Sequence, residues 1–140
     1  MSFRIIEDIV SGDFVFEAFG KTVEELFESC AKACFSAMTE LSKVDTAEKF
    51  PVDVDAENIE DLLFNFLAEL IFLKDTEKIF LSEFDIKIDI DKFSLNSVAW
   101  GEMIDYNKHD IRTDVKAVTY HNLQVRQVEG EFRVRAILDL

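Results

Sequence analysis

Acidic groups near the two ends of the sequence are the first candidates for chemistry. Asp13 opens the stretch "DFVFEAF", and Asp139 stands beside the last residue, Leu140, in "GEFRVRAILDL". Both stretches alternate apolar and polar residues, the period of a half-buried strand. In the first, Phe14, Phe16 and Ala18 share the core face, so Asp13 points away from it. The second is preceded by Glu129-Gly130, a two-residue turn with Gly where positive φ is easiest. With Val128 opposite Glu131, Leu123 meets Ala136, Val125 meets Val134 and His121 meets Leu138. That mostly apolar set fixes the register, since a slip of one residue would mix the faces. The other face then carries Tyr120 across from Asp139, with Val118 and Lys116 further along the same side. If the first strand lies beside the last, Asp13, Asp139 and the terminal carboxylate of Leu140 converge. Two unit charges at about 4 Å repel by ~1 kcal/mol in water and ~4 kcal/mol at an effective dielectric of 20. Three such groups call for a cation, and an all-oxygen donor set suits calcium or magnesium rather than zinc.

The other candidates are weaker. On this register His121 faces the core as a hydrogen-bonded structural histidine, while His109 sits in a loop with Asp105 and Asp110. Cys30 and Cys34 share a helix face at i,i+4, where small core residues are expected. "DVDAE" and "DIDK" lack the central Gly and terminal Glu of a calcium loop and read as solvated strand ends. The sequence holds no Gly-rich phosphate loop, nucleophile elbow or Cys/His dyad.

The elements that must position these residues follow from periodicity. After the first strand, Thr22 and Glu25 have capping-box spacing. Val23, Leu26, Phe27, Cys30, Cys34 and Met38 then mark one face of a helix. "FPVDVDAE" is a short strand, and "NIEDLLFNFLAELIFLKD" a second helix opened by Asn58 and apolar around most of its circumference. "FDIKIDI", "FSLNSVAWGEMI", "KAVTYHNLQV" and "EFRVRAILDL" are strands, with Gly101 marking a bulge or a close approach. The order β-α-β-α-β-β-β-β predicts an α+β fold, a two-layer α/β sandwich with both helices on one face of a single sheet. Residues 1–140 form one domain, since no linker, repeat or low-complexity run divides them.

Charge narrows the partners. Twenty-nine acidic against fifteen basic residues give a net charge of -14. Such a polyanion gains nothing from releasing phosphate counterions, so direct nucleic-acid binding is not expected. Its field favours cations and basic protein surfaces. The apolar run from Leu62 to Leu73 is too short and too interrupted to span a bilayer of about 30 Å. "MSFRIIEDIV" is too acidic for a signal peptide, and two cysteines make no disulfide framework, so a cytoplasmic protein is expected.

Longer stretches resemble a known family. "KHDIRTDVKAVTYHNLQV", "VAWGE", "LAELIFLKDTE" ahead of "LSEFDIKI", "GDFVFEAFGKTVEELFE" and the Leu-Asp-aliphatic ending together look like the archease family, over essentially the whole chain. The resemblance implies a protein cofactor of the GTP-dependent tRNA-splicing RNA ligase, one that helps guanylylation and repeated turnover and is not itself an enzyme. It also implies a divalent metal, calcium first and magnesium second, on Asp13, Asp139 and Leu140. Lys116, which opens "KAVTYH", matches a position tied to ligase activation, and Tyr120 would be presented with it. The family's usual His-Thr-Ala-Asp is "VSGD" here, so Val10 replaces the histidine. Two other functions are compatible with the residues: a metal-dependent hydrolase at Asp13 and Asp139, and a scaffold or chaperone that needs no metal.

Overall fold

A computed structural model of the protein describes residues 2–7 and 13–140. Strand β1 (Ser2–Glu7) pairs antiparallel with β2 (Asp13–Gly20), and helix α1 (Val23–Ser36) follows. A 3-10 turn at Leu41–Lys43 leads to β3 (Glu48–Asp55) and helix α2 (Ile59–Glu77). Then come β4 (Ile79–Asp89), β5 (Ser94–Met103), β6 (Ala117–Val118), β7 (Arg126–Val128) and β8 (Glu131–Asp139).

Both helices begin as their caps dictate. Thr22 accepts the Glu25 amide at 3.1 Å, and the Glu25 carboxylate reaches back to the Lys21 amide at 2.8 Å. Asn58 accepts the Asp61 amide at 2.9 Å. The bonds to the Glu25 and Asp61 amides satisfy donors that the first helical turn leaves without a partner, and the Lys21 bond ties down the residue before the cap. The inward faces carry the core: Leu26, Phe27, Cys30, Ala33 and Cys34 from α1, and Leu62, Leu63, Phe66, Leu67 and Leu70 from α2, all fully buried. Phe27 and Phe66 stack across the helix interface with ring centroids 6.0 Å apart.

The α+β class and the antiparallel strands match expectation, but the strands do not form a single sheet with both helices on one face. They form two. One runs β1-β2-β8-β6, with β7 also on β8; the other runs β3-β5-β4. Helix α1 packs on β2 of the first sheet and β4 of the second, and α2 likewise touches strands of both. Alternation says which side chains face inward, not which strand is the neighbour, so the division was not visible. Strand β1 was also unforeseen, because "SFRIIE" does not alternate cleanly and leaves Ile5 and Ile6 exposed.

Gly101 is a close approach. A Cβ built there would lie 1.9 Å from the Phe80 carbonyl oxygen. The β4–β5 register shifts beside it, between Leu81 and Glu83. The Glu129-Gly130 turn has φ of 52° and 78°, both positive, which matches the twist of a tight hairpin.

Candidate functional site

Strands β2 and β8 place Asp13 and Asp139 directly opposite one another, as the terminal rung of their ladder. The next rung, Phe14 with Leu138, is buried in the core, so by the pleat both carboxylates stand on the outer face. Directly opposed Cβ atoms lie roughly 4.5–5.5 Å apart, close enough for two carboxylates to share one cation. Leu140 follows at once, half-buried, its side chain packed against the core. On the far side of β8, Ala117 is opposite Asp139, and the Lys116 amide donates to the Asp139 carbonyl at 2.8 Å. Lys116 itself is exposed. Four of the sequence-derived positions, Asp13, Asp139, Leu140 and Lys116, are therefore gathered at one end of one sheet.

Tyr120 is not opposite Asp139, and His121 is not in the core. The hairpin register holds at the turn, with Val128 opposite Glu131, but pairing through β7 ends at Arg126. The chain then leaves the sheet in a turn at Tyr120–Leu123, where the Leu123 amide donates to the Tyr120 carbonyl at 3.0 Å and Asn122 takes φ of 54°. It returns to β8 as β6, three residues out of the expected register, so Ala117 and not Tyr120 meets Asp139. His121 is exposed as a result. The Tyr120 ring stacks on Phe64 of α2 at 3.8 Å, with the planes 8° apart. Burial, and then Asp61 beside the hydroxyl, raise its pKa. Val10 lies outside the described residues.

The donor set fits a hard cation. Among the described residues, neither Asp13 nor Asp139 takes part in an ion pair. Nor do those residues include a cluster of three or more His, Cys, Asp or Glu side chains able to hold a metal. What the rung offers is two carboxylates beside Leu140, oxygen ligands of the kind calcium and magnesium take.

Whole-chain comparisons bear on what this arrangement belongs to. The model of the archease protein family matches residues 3–140. The chain belongs to the archease family. It is 41% identical over 133 residues to the protein archease of Methanothermobacter thermautotrophicus, covering 94% of each chain. To that of Pyrococcus abyssi it is 32% identical over 133 residues, covering 93% of this chain and 94% of the other. A solution structure of a Methanobacterium thermoautotrophicum protein superposes with a TM-score of 0.85 at 39% identity, over 99% of this chain and 98% of that one. A crystal structure of a Thermotoga maritima archease, described as a possible chaperone, shares the fold with a TM-score of 0.68 at 21% identity, covering 98% of each chain.

Two polar networks, each built around one buried side chain, escaped the sequence. Lys74 of α2 is buried, its ammonium bonded to Asp75 and Asp114, each at 2.6 Å, and to the Val115 carbonyl at 2.9 Å. Burial presses its pKa down, but the bonds to Asp114 and Asp75 outweigh this and raise it. The bond to Val115 ties α2 to the residue just before Lys116. A signal existed: Leu63, Leu67, Leu70 and Lys74 continue one inward row at helical spacing.

The second network surrounds His109. Its ring is buried edge-on to Phe80. Nδ1 accepts the Asp105 amide at 2.9 Å, so Nε2 carries the proton it donates to Glu102 at 3.0 Å. Lys108 and the Asp45 amide also bind Glu102, each at 2.7 Å. Burial would raise the Glu102 pKa, but Lys108, the Asp45 amide and His109 together lower it to about 2. Cys30 and Cys34 are buried in the core as expected, and burial pushes the Cys34 thiol up to about 12.

No helix among the described residues is long and apolar enough to cross a membrane.

Proposed function

We propose that this protein is a non-enzymatic, cytoplasmic cofactor of a GTP-dependent tRNA-splicing RNA ligase, assisting its guanylylation and multiple turnover. Asp13, Asp139 and the terminal carboxylate of Leu140 hold a divalent metal, calcium first and magnesium second. The observation that carries this is the Asp13–Asp139 rung: two opposed carboxylates, neither of them in an ion pair among the described residues. When bound, the metal neutralises the rung and locks the end of β8 to β2. Lys116, tied to Asp139 through its amide, and the exposed Tyr120 are the side chains offered to the ligase. The surplus of negative charge favours docking on a basic protein surface.

The hydrolase reading needs a base beside a metal-bound water. His109 has both ring nitrogens occupied by Glu102 and Asp105, and Tyr120 lies on Phe64, so neither supports it.

The test is ligase turnover with sub-stoichiometric doses of this protein. Multiple turnover should appear with the wild type and be lost with Asp13→Ala, Asp139→Ala and Lys116→Ala. Full activation by both aspartate variants would leave a scaffold that needs no metal. Equal turnover with and without the wild type, together with no binding by pull-down, would end the proposal.

A further inference from the structure

The outer face of the β2–β8 ladder changes sign along its length. Asp13 and Asp139 form one end, Val15 and Ile137 the next rung outward, then Glu17 with Arg135, then Phe19 with Arg133. Beyond β8, Arg126 of β7 stands directly opposite Arg133. Like charges placed opposite each other destabilise a ladder. The sequence has only five arginines and a net charge of -14, yet Arg126, Arg133 and Arg135 line one concavity of about 440 Å³ with Asn122, Gln124 and Glu17. This clustering runs against both local repulsion and the protein's overall charge.

The guanidinium groups are oriented more than they are neutralised. Arg126 is held through Nε and Nη2 by the neutral amide oxygen of Gln124, at 3.3 and 3.2 Å. Arg133 lies over the Phe19 ring, 5.3 Å from its centroid, and bonds Glu131 at 3.1 Å. Glu17 is the acid facing Arg135, but Arg4 takes its carboxylate at 2.7 Å. Among the described residues, Arg126 and Arg135 make no ion pair. A planar guanidinium presents paired donors that match phosphate oxygens.

We infer that this concavity is a phosphate-binding site for a small ligand of nucleotide size. Its volume falls within the roughly 300–1,000 Å³ of small-molecule pockets. Asn122 and Gln124 supply donors and acceptors for a sugar or base. Charge favours a compact ligand over a nucleic acid. Within a Debye length of about 8 Å the arginines dominate, whereas a long polyanion would also meet the acidic remainder of the surface. The site is separate from the Asp13–Asp139 rung: Arg135 lies about 13 Å along β8 from Asp139 at the usual rise per residue.

The probes are GTP, ATP and inorganic pyrophosphate, titrated calorimetrically into the whole protein in the presence of EDTA, which removes any contribution from a metal at the rung. A triphosphate should bind, pyrophosphate should compete, and Arg126→Gln or Arg135→Gln should weaken binding about tenfold or more, as loss of a charge-assisted bond does. Both arginines are exposed, so the variants should fold, and Arg126→Gln should melt no lower than the wild type because it relieves the pairing with Arg133. Asp13→Ala should bind the triphosphate as the wild type does, which separates this site from the metal reading. Absence of triphosphate binding at millimolar concentration, binding by both arginine variants as tight as by the wild type, or binding of single-stranded RNA in place of nucleotides would each overturn the inference.

Discussion

The Lys116 amide donates to the Asp139 carbonyl at 2.8 Å, so the candidate activating lysine and a candidate metal ligand share a main-chain bond. One residue earlier, the Val115 carbonyl accepts from buried Lys74. A short path therefore runs from the interior of α2, through Val115 and Lys116, to the end of β8. Lys74→Met should keep the helix but leave the Val115 carbonyl without its donor. A buried group left unpaired costs about 1–3 kcal/mol, because its water was already given up. Urea unfolding should show a loss of that size, and exchange of the Lys116 and Thr119 amides, which bond β8, should accelerate. Unchanged exchange there would mean that Lys74 does not hold the segment.

The Asp13–Asp139 rung makes a prediction whose sign reverses with metal. Without divalent cations, Asp139→Asn removes a like-charge pair and should stabilise the protein by a few tenths to about 1 kcal/mol. With calcium or magnesium present, the wild type should gain stability by mass action and the variant should not. Thermal melts in EDTA and in millimolar calcium test both halves. Extending the chain past Leu140 should also blunt the calcium response, because the terminal carboxylate is moved away. A variant that responds to calcium as the wild type does would remove Asp139 from the ligand set.

The strands bearing Asp13 and Asp139 were legible because "DFVFEAF" and "EFRVRAILDL" keep an unbroken apolar row on the core face, although Val15, Phe19 and Ile137 are apolar on the other, and the opposed rung follows once those strands pair. The error around Tyr120 has a local cause. "KAVTYHNLQV" alternates well enough to read as one strand, but Asn122 adopts positive φ and Tyr120 finds a better partner in Phe64 than in the sheet. Asn tolerates that backbone region better than most residues, so it was the one available sign of a break. The Lys74 and Glu102 networks were hidden for another reason. Their partners lie forty residues apart in one case and up to fifty-seven in the other, and no periodicity reports a contact at that range.

Glu102 sets a pH dependence. Its carboxyl is held from the usual 4.5 down to about 2 in the folded protein, with Lys108, the Asp45 amide and His109 overcoming burial. A depressed folded-state pKa contributes stability that is present above the unfolded value and is lost as pH falls through the folded one. Between pH 4.5 and 2 the wild type should therefore lose a component of stability that Glu102→Gln lacks. The variant should be less stable at pH 7, and the difference between the two melting curves should shrink towards pH 2. A difference that stays constant over that range would show that the network does not depend on the Glu102 charge.

Gly101 should not tolerate even one added methyl group. A Cβ there would meet the Phe80 carbonyl oxygen at 1.9 Å and the Leu81 Cα at 2.9 Å, and neither is a flexible side-chain end that could swing aside. The strands must separate or the β4–β5 register must slip at the irregularity between Leu81 and Glu83. Overpacking of this kind costs about 1–3 kcal/mol and more where backbone must move, so Gly101→Ala should lose about 3 kcal/mol. Because Ile79 pairs with Met103 just beyond this point, amide exchange at the Ile79 end of the ladder should rise first. The Asp13–Asp139 rung belongs to the other sheet, so the calcium response should persist at temperatures where the variant remains folded. A Gly101→Ala protein as stable as the wild type would show that β4 and β5 can part there at little cost, and that the glycine is not what fixes their approach.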